Sequence, residues 1–176
     1  GTTWTHAAVL TASDGQAGDQ FGSSNNVKMN GDGDTIAIGA VQEDGGAGNP
    51  TSNAGAVYIF TGSGSSWTQQ AKLTPSDPES NGRFGTAISI TDDGNTVLIT
   101  APYKDVGGNA DVGQGYVFTR TGSSWTEKVI LNGSTVASAE MGGRGAAIYG
   151  SRAMIGSPAE TVSSNTNAGK VYQFDA

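Results

Sequence analysis

The chain has 176 residues and a formal net charge of −7, and its nine Lys and Arg are scattered singly, which excludes the clustered basic surface of a nucleic-acid binder. It contains no cysteine, so disulfides and thiolate metal sites are excluded, and no apolar stretch approaches the length of a membrane span. Glycine is abundant and charged residues are only 14%, with apolar residues in short runs bounded by Gly, Asn, Asp and Ser, the pattern of many short strands joined by turns.

The first predicted strand is Trp4 to Leu10, and its pattern Trp-Thr-x-x-(Ala/Val)-x-Leu returns at Trp67 to Leu73 and at Trp125 to Leu131. An aromatic-Gly pair follows, Phe21-Gly22, matched by Phe84-Gly85 and by Met141-Gly142. Next comes a tight turn, Asn30 to Gly33, whose residues tolerate positive φ; Asp92 to Asn95 and Tyr149 to Arg152 hold the same place later. A strand ending in Ile38-Gly39-Ala40 is matched at Ile99 and Ile155. After a longer polar loop (41–54, then 103–112 and 159–168) comes a strand with Tyr58 and Phe60, matched by Tyr116 and Phe118 and by Tyr172 and Phe174. Four landmarks thus recur three times in one order, about 60 residues apart, and such self-similarity decides the architecture.

Each landmark is expected on a strand. Strict alternation puts Trp67, Gln69, Ala71 and Leu73 on one face with Thr68, Gln70 and Lys72 on the other, and puts Tyr58 and Phe60 across from Val57 and Ile59. The predicted fold is all-β: three four-stranded antiparallel blades of the β-propeller type in a single domain spanning residues 1–176.

Phe21-Gly22 followed by Ile38-Gly39-Ala40, and Phe84-Gly85 followed by Ala101-Pro102, resemble FG-GAP repeats, the blades of integrin alpha-subunit propellers and of many secreted microbial proteins. The microbial subtype is the more similar, because its blades also carry the Gly55 to Phe60 strand and a Gly-Ser-Ser-Trp-Thr link, here 64–68 and 122–126. The resemblance implies an extracellular or cell-surface setting and a binding or structural role. It also implies a calcium loop, but alignment on Gly33 places Lys28, Asn30, Asp32 and Ile36 in the ligand positions, too few oxygens for a hard cation. A hairpin turn is the preferred reading, and no cofactor is expected.

No catalytic constellation can be assembled. His6 stands alone, and no nucleophile elbow or phosphate loop occurs. The loop acids Glu43, Asp44, Asp105, Asp111 and Glu160 are candidate ligand contacts for a cell-surface protein or glycan. The recurring Trp residues are read as blade packing, and Asn132-Gly133-Ser134 is a glycosylation sequon at a strand end.

In the resembled family a blade begins at the Phe-Gly strand and ends at the Trp strand. Blades are then expected at about 21–73, 84–131 and 141–174, the third lacking its Trp strand while residues 4–10 form an orphan of that type. The orphan is expected to complete the third blade of the same or a neighbouring chain, through Trp4, Thr5, Ala7, Ala8, Val9 and Leu10 against Val171, Tyr172 and Phe174. The function expected is a non-catalytic extracellular structural or adhesive protein that polymerises into a fibre. The alternative is a ligand-binding propeller, with two chains closing a six-bladed ring.

Overall fold

The β-branched and aromatic runs pair as antiparallel sheets, and their hairpins turn on Gly33, Gly64, Gly94, Gly122 and Gly150, all at positive φ. In the computed structural model, which describes residues 3–23, 26–44 and 50–176, β1 (Val27–Met29), β2 (Thr35–Ala40), β3 (Ala56–Ser63) and β4 (Ser66–Leu73) form a four-stranded sheet in sequence order. A second such sheet comprises β5 (Ile88–Ile90), β6 (Thr96–Ala101), β7 (Gln114–Thr121) and β8 (Ser124–Leu131). A third has three strands, β9 (Ala146–Tyr149), β10 (Arg152–Ser157) and β11 (Lys170–Asp175). No helix among the described residues is long and apolar enough to cross a membrane.

The sheets stack as propeller-like blades, with the inner strands β1, β5 and β9 as neighbours. Each blade has a leading face, bearing the Tyr and Phe of its third strand, and a trailing face. Ala37, Val57, Ile59 and Leu73 on the trailing face of blade 1 pack against Val97, Ile99, Tyr116 and Phe118 on the leading face of blade 2. Leu98, Val117 and Leu131 of blade 2 then meet Ala153, Ile155, Tyr172 and Phe174 of blade 3. The leading face of blade 1 carries Ile36, Ile38, Tyr58 and Phe60, partly roofed by Leu10, Ala12, Phe21 and Trp67.

Three expectations are corrected here. Strict alternation fails along the Trp strands because a β-bulge shifts the register between Ile59 and Phe60, pairing Ile59 with Ala71 but Phe60 with Gln69. Trp67 therefore packs on the leading face with Tyr58, whereas Ala71 and Leu73 lie on the trailing face; the same shift at Val117/Phe118 separates Trp125 from Leu131. Secondly, the Phe-Gly landmarks precede the inner strands instead of lying on them. Phe84 is fully buried with its ring edge-on to Tyr116 and Phe118, and Phe21 makes a single bridge to Ala40. Thirdly, residues 3–10 belong to no sheet among the described residues, so this segment does not join the third blade of its own chain.

Candidate functional site

The residues expected to associate lie at opposite ends of the blade stack. Trp4 is 91% exposed and Val9 74%, Thr5, Ala7 and His6 are exposed, and Ala8 and Leu10 are half-buried, Leu10 on the leading face of blade 1. Ser13 and Asp14 fix this segment to blade 1. The Ser13 N–H donates to Gln69 Oε1 at 3.0 Å, the Tyr58 hydroxyl donates to Asp14 Oδ1 at 2.8 Å, and Lys72 Nζ lies 2.7 Å from Asp14 Oδ2. Burial opposes the charge on Asp14, but the bonds from Lys72 and Tyr58 outweigh it and hold its pKa below the usual carboxylate range.

At the other end, β11 pairs with β10 alone among the described residues. Val171 is 64% exposed on its trailing face, beside exposed Met154 and Tyr149. Tyr172 and Phe174 point the other way, into the cluster shared with blade 2, so of the three β11 residues expected at the interface only Val171 lies open on the trailing face. Beside the outer edge of β11 runs an apolar groove of about 520 Å³, lined by Val117, Lys128 and Val129 of blade 2 and by Ile148, Phe174 and Ala176.

Between blades 1 and 2 the corresponding position is occupied by Trp125. Its indole Nε1–H donates to Gln70 Oε1 at 2.8 Å, and the Arg120 guanidinium lies 5.4 Å over its ring. Gln70 is the bulge residue of β4, skipped in the register, and Lys128 is its counterpart in β8. The groove beside β11 is the counterpart of this tryptophan slot, with Lys128 where Gln70 stands. The sequence contains the signal for it, the third recurrence of the Trp pattern, but the bulge that aims the indole is invisible to an alternation rule.

The candidate ligand acids are held within the loops. Glu43 is 3% exposed with Lys72 Nζ at 2.5 Å, and Glu160 is 1% exposed, accepting from Lys170 at 2.5 Å and from the Tyr172 hydroxyl at 2.9 and 2.7 Å. Burial raises the pKa of Glu160, yet these donors hold it below the ordinary glutamate value. At the same point of the second repeat stands Lys104, paired with Asp77 and Glu79 at 3.4 and 3.1 Å, so the sign is inverted and compensated. Asp44 accepts from the Asn53 N–H and Asp105 from the Asp111 N–H, both at 2.9 Å, which closes each loop on itself. Residues 45–49 of the first loop lie outside the described residues.

At the loop aligned with a calcium site, the Asn30 amide is spent on the hairpin: its Oδ1 accepts from the N–H of Asp34 and Thr35, and its Nδ2 donates to Asp34 Oδ1. No group of three or more potential metal-ligating side chains occurs among the described residues. Asn132 is exposed and accepts from Gln114 Nε2 at 2.7 Å, while Ser134 of its sequon is buried.

A comparison with curated proteins gives no match. The family model for the FG-GAP repeat matches residues 4–60 and again residues 67–118. Each matched unit opens on the Trp motif and closes on the Tyr-x-Phe strand, so the segment around Trp4 is the start of a repeat unit, as Trp67 is. These two matches cover more than half of the sequence, and the chain belongs to the FG-GAP repeat family.

Proposed function

We propose that the chain is a non-catalytic extracellular structural module, adhesive in character, that joins copies of itself by β-strand donation and builds a fibre. The observation that carries this reading is the pairing of two open features. A segment with the fourth-strand motif, residues 4–10, lies outside every sheet with Trp4 91% exposed, and β11 has an unpaired outer edge beside a tryptophan slot. An open edge next to apolar surface is a template for another strand, and the strand that fits is present in every copy. Family membership supports the extracellular setting, since FG-GAP repeats are adhesion and binding modules of cell surfaces. The internal pairing of Glu43 and Glu160 weighs against a ligand site built on the loop acids.

Donation of this kind is heterologous, the two contacting surfaces being different. Two chains close if their blades fit a six-bladed ring, and a rotation that does not close continues as a filament. Sedimentation and negative-stain electron microscopy of the full chain, beside a variant lacking residues 1–9, test the reading. Leu10 and Ala12, which pack on blade 1, are kept in that variant. The full chain is expected to form concentration-dependent filaments and the shortened one to stay monomeric. A full chain that is monomeric throughout, or a shortened one that assembles equally well, overturns the proposal.

A further inference from the structure

Inside the chain, successive blades are joined by a main-chain clamp. Between blades 1 and 2, the N–H groups of Asn81, Arg83 and Phe84 donate to the carbonyls of Ser52, Asn53 and Ala54 at 2.8, 3.3 and 2.7 Å. Between blades 2 and 3, Ser138, Glu140 and Met141 donate to Ala110, Asp111 and Val112 at 2.8, 3.1 and 3.0 Å. Both halves of each clamp need left-handed backbone. The carbonyl half has φ of 51° at Asn53 and 87° at Gly55, then 53° at Asp111 and 84° at Gly113. The N–H half has 64° at Asn81 and 55° at Arg83, then 57° at Ser138 and 50° at Glu140. Non-glycine residues adopt this region at a cost, and here the clamp accounts for it.

The same two conformations recur at the two outer faces of the stack formed by the described residues. Asn167 (φ 55°) and Gly169 (φ 76°) repeat the carbonyl half at the end of the third loop, and Gly18 (φ 103°) and Gln20 (φ 59°) repeat the N–H half ahead of Phe21. Gln20 and Asn167 are both exposed. Among the described residues neither half has a main-chain partner, and each stands already shaped at an opposite end of the stack.

We propose that these halves lock two copies head to tail. Gly18, Gln20 and Phe21 of one copy donate to the carbonyls of Thr166, Asn167 and Ala168 of another, and residues 4–10 of the first copy pair with β11 of the second in a single register. The pairing of β7 with β8 fixes that register. Trp4 lies opposite Ala176, Thr5 opposite Asp175, His6 opposite Phe174, Ala8 opposite Gln173, Val9 opposite Tyr172 and Leu10 opposite Val171, with Ala7 as the bulge. The Trp4 indole fills the groove beside Val117 and Val129, where Lys128 replaces Gln70 and makes a cation–π contact in place of the hydrogen bond. Residues 4–10 are placed on another copy and not on their own β11 because Leu10 and Ala12 lie on the leading face of blade 1, while blade 3 is stacked beyond blade 2. The inference rests on the strand-donation reading and adds to it the docking site and the register.

Two variants test it. A Cβ at Gly55 would meet the Phe84 carbonyl oxygen at 2.1 Å and one at Gly113 the Met141 carbonyl oxygen at 2.5 Å, but at Gly169 the nearest atom of the same chain is 3.3 Å away. Gly169→Ala carries the strain of a side chain at φ of 76° but no clash below 3 Å within its own chain, and is expected to leave a folded chain by circular dichroism and to abolish filaments. Because the chain has no native cysteine, a Thr5→Cys chain mixed with an Asp175→Cys chain should give a disulfide-linked pair, at least about tenfold more than Thr5→Cys with Gln173→Cys, since a two-residue slip takes Cβ atoms out of bonding range. Filaments that form while Gly169→Ala is silent and the two cysteine pairs link equally overturn this junction but leave self-assembly standing. A wild-type chain without assembly overturns both.

Discussion

The junction between blades 1 and 2 and the junction between blades 2 and 3 share a backbone and differ in their filling. In the first, Phe84 is packed edge-on against Tyr116 and Phe118, and Trp125 closes the outer side on Gln70. In the second, Met141 stands in place of Phe84 and the outer side is an open groove. Both keep three main-chain hydrogen bonds and the glycine beneath them. The invariant part of the repeat is therefore the clamp, which demands particular backbone conformations, and the side chains around it set how strong each junction is.

The largest effect is expected where the clamp itself is obstructed. At Gly113 an added Cβ would sit 2.5 Å from the Met141 carbonyl oxygen and 2.6 Å from its nitrogen, on a residue with φ of 84°. Neither contact can be relieved by a rotamer, so Gly113→Ala should cost about 4 kcal/mol or more, or prevent folding, as read by urea unfolding. Gly115→Ala is the control. Its Cβ meets Ile155 Cδ1 at 2.3 Å, the movable tip of a side chain, and a cost of about 1–2 kcal/mol is expected. Equal losses would mean that the clamp does not govern the junction.

Next come the fillings. Phe84→Ala removes a fully buried ring and two edge-on aromatic contacts, for an expected loss of about 3–5 kcal/mol. Met141→Ala removes a flexible side chain from the less filled junction, and about 2 kcal/mol is expected. If Met141→Ala proves the costlier in urea titrations, the ranking of the two junctions is reversed.

The sequence displays the repeat, its phase and nearly every strand, because short apolar runs between Gly and Asn turns are local signals. Strands β2 and β3 fall where Ile38-Gly39-Ala40 and Tyr58-Ile59-Phe60 place them, and the hairpin at Asn30 is where its turn residues stand. What the sequence conceals is non-local. Gln70 and Lys128 carry no mark of a bulge, which exists only in the pairing of β4 with β3 and of β8 with β7. Asn53 and Asp111 read as ordinary loop residues, and their left-handed backbone becomes intelligible only once the docking segments are seen. The buried acids mislead for a related reason. Glu43 and Glu160 look like solvated loop charges until their lysine partners, distant in sequence for Glu43, are brought beside them.

The smallest effect concerns that pairing and sharpens the contrast between repeats, since Glu160 occupies the point where the second repeat has Lys104. The pKa of Glu160 in the folded chain lies below its ordinary value of 4.5, burial being outweighed by Lys170 and the Tyr172 hydroxyl. Between the two values the unfolded chain binds more protons, so stability rises with pH through this window. The contribution is complete above about 4.5 and is lost as pH falls through the lower, folded value. Asp14, held down by Lys72 and Tyr58, adds to the same acid limb in blade 1, whereas Lys104 supplies no carboxylate to it in blade 2. Glu160→Gln should therefore lower the unfolding free energy by about 1–3 kcal/mol at pH 7. The difference between the variant and the wild type should narrow as pH falls below about 4.5, so that their melting temperatures converge on acidification. A difference in melting temperature that stays constant on acidification would show that the carboxylate charge contributes nothing to it.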